Sequence, residues 1–184
     1  MSAYDFCRSL ILPLNIIDNF LPKTGTIIEL GCGEGIISKY VALVKSRKVI
    51  GVDNDIKRLP NENNNNLQFL QKDITKYELP KASGFILSDV LHHVKRSEQK
   101  KLIKRTYFKL RKNGVMVIKE IDTKEFIRST LSRLWDFMLY PKDQIYYWNS
   151  KDLIDFLSAV GFKVKMLRAS RLFPGSTNLF IARK

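Results

Sequence analysis

TIIELGCGEG, residues 26–35, joins a run rich in β-branched residues to a loop with three glycines at alternate positions. The run TIIEL (26–30) predicts a strand, and the apolar residues between Ile36 and Val44 recur at helical spacing. A strand that passes through glycines into a helix offers a ligand bare backbone at the carboxyl end of the strand. The stretch therefore predicts a strand, a ligand-binding loop and a helix, with a nucleotide-like cofactor as the obvious ligand.

Six further short runs continue the strand pattern along the chain. They are KVIGV (48–52), LQFL (67–70), GFILS (84–88), VMVIK (115–119), FKVKMLR (162–168) and TNLFIAR (177–183). Counted from TIIEL, the first five strands alternate with helical segments, which predicts a mainly parallel sheet with helices on both faces. The last two are joined by a short loop that holds Pro174 and Gly175, so we expect them to pair antiparallel. The predicted fold is thus α/β.

The ends of the two later helices are also marked in the sequence. Ser97 is predicted to cap a helix that ends at Asn113-Gly114, because asparagine and glycine favour the left-handed conformation found at helix ends. Ser150 is predicted to cap an amphipathic helix that Gly161 terminates.

The length and composition favour a single domain that stays in the cytoplasm. A chain of 184 residues with 45% hydrophobic residues can bury one substantial core. No run approaches the ~20 apolar residues of a membrane span. The start, MSAYDFCRSL, lacks the basic-then-apolar order of a signal peptide. Cys7 and Cys32 cannot build a disulfide framework, and with His92 and His93 they show no metal-ligand spacing, so we expect reduced thiols and no metal.

The chain is strongly basic. It has 32 Lys and Arg residues against 18 Asp and Glu, and the net charge of +14 attracts nucleic acid, anionic membranes or acidic partners. The segment 95–112, on a predicted helix, concentrates this charge and is the expected contact region. A second interpretation stands beside this one. The Asn-rich run at 61–66 indicates a compositional bias, and the lysines then simply lie on solvated faces.

The glycine loop differs from the dinucleotide-binding fingerprint. That fingerprint places a third glycine where this chain has Ile36. Glu29 stands two residues before Gly31, so its carboxylate would repel a pyrophosphate and attract a cation. The loop therefore favours a positively charged cofactor over NAD.

ELGCGEG (29–35) resembles the first motif of class I S-adenosylmethionine-dependent methyltransferases, and the later motifs follow that family in order over nearly the whole chain. The resemblance implies one domain with a Rossmann-like fold, a mainly parallel seven-stranded sheet with one antiparallel edge strand. It implies S-adenosyl-L-methionine as the cofactor. Two segments are expected to cover the site: an N-terminal lid helix within 1–24 and an aromatic substrate-cover insert at 123–149.

The resemblance also assigns cofactor contacts residue by residue. Asp53, which closes the second strand, matches the acid that takes both ribose hydroxyls. Asp73 matches the acid that meets the adenine amino group, with Ile74 alongside, and Ser88 matches a residue beside the methionine portion. The full set of expected cofactor contacts is Glu29, Gly31, Cys32, Gly33, Gly35, Asp53, Asn54, Asp73, Ile74 and Ser88.

The implied chemistry is attack of a nucleophile on a sulfonium methyl group, an in-line displacement that gains from alignment and from exclusion of water. Asp89 and His92 are the expected catalytic residues. A phenol, enol or carboxylate acceptor arrives largely ionised, whereas an alcohol needs a base such as His92. A structural role for the histidines is the alternative; we favour it for His93 and leave His92 open.

The motif SDVLHH (88–93) resembles the subgroup that methylates small molecules and lipid-like precursors. We therefore expect a small-molecule or lipid-like acceptor, with Tyr146, Tyr147 and Trp148 in the acceptor pocket.

Two other functions stay open. In an RNA methyltransferase, Asp89 and Lys119 would supply two members of a Lys-Asp-Lys-Glu set, but no acid follows Asp155 to complete it. The nine basic residues of 95–112 would then track phosphates. In a non-catalytic binding protein, the cofactor loop would be retained without methyl transfer.

Overall fold

The structure is a computed structural model that describes residues 12–121, 145–168 and 177–184. Within these ranges seven strands form one sheet in the order β3-β2-β1-β4-β5-β7-β6. The strands are β1 (Gly25–Leu30), β2 (Arg47–Asp53), β3 (Leu67–Gln71), β4 (Ala82–Ser88), β5 (Leu110–Ile121), β6 (Lys163–Arg168) and β7 (Thr177–Arg183). Each corresponds to one of the seven runs predicted from the sequence.

The pairing confirms the predicted α/β, Rossmann-like sheet. Strands β1 to β5 pair parallel, whereas β7 pairs antiparallel with both β5 and β6. Strand β7 therefore lies between β5 and the edge strand β6, and the antiparallel pair closes one side of the sheet.

The described helices are α1 (Leu14–Phe20), α2 (Ile36–Val41), α3 (Arg96–Lys109) and α4 (Ser150–Val160), with a 3₁₀ turn at Leu91–His93. The two cores that they build lie on opposite faces of the sheet. On one face Ile17 of α1 and Val41 of α2 cover the sheet; on the other, Leu102 of α3 and Leu153 of α4 do so. Helices on both faces are thus confirmed.

The predicted end of α4 is correct, but the predicted caps are wrong. Gly161 ends α4 with φ 113°, the left-handed conformation that glycine adopts without a steric penalty. The N-cap of α4 is Asn149 rather than Ser150, because the Asn149 side chain accepts a hydrogen bond from the backbone N–H of Lys151 at 2.9 Å.

The boundaries of α3 also differ from the prediction. Ser97 lies inside the helix, because the first helical hydrogen bond already runs from the N–H of Gln99 to the carbonyl of Lys95 (2.9 Å). The helix ends at Lys109 rather than at residues 113–114, since β5 begins at the next residue. Asn113 does adopt a left-handed conformation, with φ 62°, but within the span of β5.

The sheet order determines where a ligand binds. Strand β1 pairs with β2 on one side and β4 on the other, so the chain connections run in opposite directions from β1. A crevice opens at such a switch point, outside the carboxyl ends of the strands. The glycine loop after β1 lies at this point.

The predicted covering segments are only partly described. Helix α1 falls within the predicted lid at 1–24, and residues 145–149 belong to the predicted insert at 123–149. Residues 1–11 and 122–144 lie outside the described ranges, so both assignments remain predictions. In the described part of the chain, no helix is long and apolar enough to cross a membrane, and no cluster of three or more His, Cys, Asp or Glu side chains fits a metal ion.

Candidate cofactor and methyl-transfer site

The glycine loop turns sharply between β1 and α2. Gly31, Gly33 and Gly35 have φ values of 77°, 51° and 70°, in the left-handed region that favours glycine. A Cβ on Gly31 would collide with Val90, and a Cβ on Gly33 would lie 2.7 Å from the guanidinium of Arg58. The sequence therefore needs glycine here both for the backbone conformation and for the space around it.

Glu29 holds the first turn of α2 in place through hydrogen bonds with Ser38. Its buried carboxylate accepts hydrogen bonds from the backbone N–H of Ser38 (2.8 Å) and from the Ser38 hydroxyl (2.5 Å). An acid at the second-to-last position of a buried strand thus ties the strand to the helix that follows the loop. The same side chain lines the cleft beside the loop.

Asp53 holds the loop from the neighbouring strand. One carboxylate oxygen accepts the N–H of Gly33 at 2.7 Å, and the other accepts the N–H of Asp55 at 3.0 Å. Asp53 ends β2, next to β1 in the sheet, so the parallel register brings its carboxylate to the glycine turn. The structure therefore places Asp53 and Gly33 together, as the predicted cofactor site requires.

The electrostatics of the loop favour a cation. Burial raises the pKa of the Cys32 thiol well above its usual range, and the negative charges of Glu29 and Asp53 raise it further. The thiol therefore stays protonated and neutral, and Cys32 fills space in the turn. The same two carboxylates disfavour a pyrophosphate at this position.

One small cleft collects several of the predicted residues. It is lined by Leu12, Glu29, Gly31, Cys32, Glu34, Ile36, Ile37 and Ser88. Glu29 lies near the end of β1 and Ser88 at the end of the adjacent strand β4, so the parallel pairing of these strands explains why the two side chains meet. The cleft lies where the switch point predicts a ligand.

The residues predicted for the adenine end lie apart from this cleft. The partly exposed carboxylate of Asp73 accepts hydrogen bonds from Thr75, through its hydroxyl (2.6 Å) and its backbone N–H (2.8 Å). The hydroxyl bond is the main cause that lowers the pKa of Asp73. Ile74 is buried in the core covered by α3 and α4, and Asn54 is exposed. These three residues follow the carboxyl ends of β2 and β3.

At the end of β4 the chain forms a buried ion pair. The ammonium of Lys119, on β5, donates to both carboxylate oxygens of Asp89, at 2.8 and 2.6 Å. The Ser88 hydroxyl donates to the same carboxylate at 3.3 Å. Asp89 has φ 53°, a conformation that few residues other than glycine adopt. The N–H of Asp89 also donates to the carbonyl of Lys119 at 3.0 Å, which holds the pair in register.

His92 lies in a separate polar cluster. Its Nδ1 lies 2.7 Å from the carboxylate of Glu120, whose other oxygen accepts the backbone N–H of Leu91 at 3.0 Å. His92 and Glu120 are both buried, at 2% and 5% exposure. The ring of Tyr147 stacks on the ring of His92, with centroids 5.1 Å apart. The ring centroid of His93 lies 4.3 Å from that of His92.

The predicted acceptor pocket residues pack against α3 and α4. Arg96 of α3 donates to the carbonyl of Tyr147 and lies 3.9 Å above the ring of Trp148. Trp148 also stacks on Phe156 of α4, with centroids 5.6 Å apart. The N–H of Tyr146 donates to the carbonyl of His92 at 2.8 Å. The segment therefore anchors the turn after β4, with Trp148 packed against the core.

Strand alternation divides these groups between the two faces of the sheet. Side chains of successive residues point to opposite faces. Lys119 follows the pattern of Val115 and Val117, which face α1 and α2, whereas Glu120 follows Met116 and Ile118, which face α3 and α4. By the same alternation Glu29, Asp53 and Ser88 lie on the α1 and α2 face. The ion pair thus shares a face with the cleft, and the His92 cluster does not.

Glu120 and Gln99 were missed in the sequence analysis. Glu120 is an acid near the end of an otherwise apolar strand, a pattern that signals a buried polar contact. Gln99 is fully buried and donates to the carbonyls of Leu91 and Val94, both at 2.7 Å, and of Tyr146 at 3.0 Å. Only its position on the inner face of the predicted helix, among Leu102 and Ile103, would have marked it.

Comparison with known proteins decides the family. Residues 4–166 match a family described as a methyltransferase domain. The chain belongs to this methyltransferase family. The resemblance of its glycine motif to class I S-adenosylmethionine-dependent methyltransferases is thereby confirmed.

Two curated relatives of this chain carry the same name, carboxy-S-adenosyl-L-methionine synthase. The protein of Nautilia profundicola is 27% identical over 122 residues, which cover 61% of this chain and 51% of that protein. The protein of Helicobacter pylori is 27% identical over an alignment of 187 positions, which covers 89% of this chain and 76% of that protein. The chain therefore spans about half the length of the first of these relatives.

The fold is shared with solved methyltransferases. Magnesium protoporphyrin IX methyltransferase from Synechocystis, solved with bound S-adenosylhomocysteine, superimposes with a TM-score of 0.70 at 18% identity. The alignment covers 98% of this chain and 82% of that protein. Family and fold together make S-adenosyl-L-methionine the cofactor, as the sequence predicts.

Proposed function

We propose that this protein transfers the methyl group of S-adenosyl-L-methionine to a small-molecule or lipid-like acceptor. Membership of the methyltransferase family supports methyl transfer. The observation that carries the proposal is the arrangement at the carboxyl ends of β1, β2 and β4. There Glu29, Gly31 and Ser88 line one cleft, and Asp53 holds the glycine turn beside it.

The residues present fit this cofactor. Gly31 and Gly33 carry no side chains that would block a ligand from the loop backbone, and a Cβ at either position would meet Val90 or Arg58. Asp53 supplies a carboxylate for the ribose hydroxyls, and Ser88 lies at the end that the family assigns to the methionine portion. When bound, the cofactor supplies a methyl group activated by a positively charged sulfur. The carboxylates of Glu29 and Asp53 favour that charge.

Each side chain has a distinct part in the proposed site. Glu29 positions the loop by holding Ser38, and Asp53 serves both the turn and the ribose. Asp89 and Lys119 stand beyond Ser88 on the same face of the sheet, where an acceptor would approach the methionine end. His92 lies on the opposite face, bonded to Glu120. We therefore place the pair of Asp89 and Lys119, rather than His92, beside the acceptor.

Calorimetry with S-adenosylhomocysteine tests the cofactor half of this proposal. We expect saturable binding by the purified protein, and methyl transfer to at least one member of a panel of phenols, enols and carboxylic acids. Absence of any binding would refute the proposal. Binding without transfer to any acceptor, including total RNA, would instead support a non-catalytic binding protein.

The relatives favour a second candidate reaction. Their name, carboxy-S-adenosyl-L-methionine synthase, describes formation of a cofactor that carries an additional carboxylate, and one of them aligns with 89% of this chain. Mass spectrometry of the small molecule that copurifies with this protein separates the two candidates. The mass of the demethylated product, S-adenosylhomocysteine, supports methyl transfer, whereas the mass of a carboxylated cofactor supports the second reaction.

A further inference from the structure

A buried cation lies on the acceptor side of the proposed site. The Lys119 side chain is only 6% exposed, and its ammonium contacts both oxygens of Asp89. A lysine is rarely buried to this extent without a partner, because removing an ammonium from water is costly. The Lys119 ammonium is therefore held inside the protein at the carboxyl end of β5 and is not a solvated surface charge.

The position of Lys119 follows from the strand register. Ser88 of β4 pairs with Lys119 of β5, and Ser88 lines the cofactor cleft. Across the sheet the proposed ribose acid on β2, the glycine loop after β1, Ser88 on β4 and Lys119 on β5 follow one another. If the methionine end of a cofactor lay beside Ser88, a group beyond it would meet the ammonium.

The ammonium keeps a donor for a ligand. A lysine ammonium has three N–H groups. Asp89 accepts two of them, and within the ranges 12–121, 145–168 and 177–184 no other group accepts a hydrogen bond from the Lys119 ammonium. Asp89 itself is fixed by the Ser88 hydroxyl and by its own backbone N–H, in an uncommon φ of 53°. The carboxylate thus positions the cation.

We propose that Lys119 binds the ionised oxygen of the methyl acceptor, and that Asp89 is the positioning residue that holds the ammonium for it. This inference rests on the proposed function and narrows it to acceptors with an acidic oxygen: phenols, enols or carboxylic acids. An ammonium beside such a group lowers the pKa of the group, so that the proton has left to solvent before transfer.

The transfer step is then balanced without a further base. The acceptor oxygen donates an electron pair to the methyl carbon, and the pair of the broken carbon–sulfur bond remains on sulfur. The negative charge of the oxygen and the positive charge of the sulfonium disappear together. The Lys119 ammonium and the Asp89 carboxylate keep their protonation states throughout.

A coloured phenol tests the site without methyl transfer. 4-Nitrophenol absorbs visible light only as the phenolate, so its pKa can be titrated in the presence of protein saturated with S-adenosylhomocysteine. We expect the wild-type protein to lower the pKa of the bound phenol by about 1, the effect of one nearby opposite charge. 4-Nitroanisole, which cannot ionise, should bind with equal affinity to the wild type and to Lys119→Met.

Two substitutions give opposite results if the inference is correct. Lys119→Met keeps the length of the side chain without its charge and should abolish the pKa shift of the phenol. Asp89→Asn removes the carboxylate that competes for the ammonium and should enlarge the shift. A purely structural ion pair predicts only a loss of stability in both. Lys101→Met, at an exposed position on α3, is the matched control and should leave the shift unchanged.

The outcomes separate this inference from the proposed function. Wild-type protein that fails to bind S-adenosylhomocysteine would refute the proposed function. Binding of S-adenosylhomocysteine with no shift for 4-nitrophenol, or with a shift that survives in Lys119→Met, would refute the role of Lys119 alone. If circular dichroism shows that Lys119→Met does not fold, Asp89→Asn and Lys119→Arg, which keeps the charge, are used instead. A smaller or unchanged shift in the pKa of the bound phenol in Asp89→Asn would contradict the inference.

Discussion

The carboxylate of Glu120 lies 2.7 Å from Nδ1 of His92, and its second oxygen accepts the N–H of Leu91. One buried side chain from β5 thus fixes both the turn after β4 and the orientation of a histidine. Tyr147 stacks on the same ring from the segment that precedes α4. Three parts of the chain meet at this imidazole, so its first role is to hold the end of the sheet together.

Glu120→Gln should therefore weaken the fold. The substitution replaces a charge-assisted hydrogen bond by a neutral one, and we expect a loss of about 1.5 to 3 kcal/mol in the free energy of unfolding. Urea denaturation at neutral pH measures this loss. Glu98→Gln is the matched control, because among the described residues Glu98 forms its ion pair with exposed Lys101, and the change should alter stability by less than about 0.5 kcal/mol. Equal stability of the two variants would show that the His92 contact contributes little.

Asp53→Ala should weaken cofactor binding. The substitution removes the carboxylate proposed for the ribose hydroxyls and also frees the N–H of Gly33. We expect a loss of roughly 1.5 to 3 kcal/mol in the affinity for S-adenosylhomocysteine, measured by calorimetry. Asp55→Ala, two residues away at an exposed position, serves as the control. If both variants bind as tightly as the wild type, Asp53 is not in the cofactor site.

Gly33→Val should abolish cofactor binding while the protein still folds. The left-handed φ of 51° disfavours a β-branched residue, and the added side chain would meet the Arg58 guanidinium. Gly161→Val imposes a similar backbone strain at φ 113°, far from the glycine loop, at the end of α4. Calorimetry should show normal binding in the Gly161 variant and none in the Gly33 variant. Equal binding in both would mean that the loop does not contact the cofactor.

The stability of the protein should fall in acid through Asp18. Burial raises the pKa of this carboxyl, but its hydrogen bonds with Arg47 and Lys23 outweigh that effect and hold the pKa below the usual 3.8. A carboxyl with a lowered pKa stabilises the fold above its unfolded pKa, and this contribution disappears as the pH falls through the folded value. Urea denaturation at pH values from about 7 to about 3 should show the decline.

Asp18→Asn tests the source of that acid sensitivity. Arg47 is only 1% exposed, so loss of the Asp18 charge leaves a buried guanidinium without its counter-ion. We expect a loss of about 3 kcal/mol at neutral pH and a flatter dependence of stability on pH below about 4. A variant with the wild-type acid profile would assign the decline to other carboxyls.

Reversal of charge in the basic segment 95–112 should distinguish a small acceptor from RNA. Lys95, Lys100, Lys104 and Lys112 are exposed, and their replacement by glutamate leaves the Lys101–Glu98 pair intact. Methyl transfer to a small acceptor should survive this change and depend little on salt. An RNA-directed enzyme would instead lose binding, with a salt slope near −0.7 per phosphate contact to a single strand. Activity found only on RNA and lost in the charge-reversed protein would contradict the proposed acceptor.

The strands were predictable because their signal is local. Each of the seven runs is apolar and β-branched, and glycine or polar residues bound it, so no distant contact is needed to assign it. The glycine loop was equally accessible, since left-handed φ values and close approach are properties of the residue itself. The starts of α3 and α4 were not. For α4, Asn149 and Ser150 are both acceptable N-caps, and for α3 the helix begins two residues before the favourable Ser97 would cap it, so the exact start depends on packing.

The polar pairs depend on contacts between distant residues. Lys119 and Glu120 are neighbours in the sequence, yet one bonds Asp89 on one face of the sheet and the other bonds His92 on the opposite face. The alternation of side chains along β5 predicts that Lys119 and Glu120 point to opposite faces of the sheet, but it does not predict which residues they bond to. The partners depend on the register of β4 with β5, which a single sequence does not encode as a local pattern. The stacking of Trp148 on Phe156 of α4 is likewise a contact that no local sequence pattern encodes.

Because β7 lies between β5 and β6 in the sheet, β6 can join the sheet only after β7 has been synthesised. Strand β6 leaves the ribosome before β7, but in the sheet it bonds only to β7. Until residues 177–183 emerge, β6 has no strand of this sheet to pair with, and the backbone groups of β5 on that side stay open. An exposed strand edge of this kind is a site for mispairing with other chains. Truncation before residue 177 should therefore give a protein that aggregates, although it would retain the whole glycine loop.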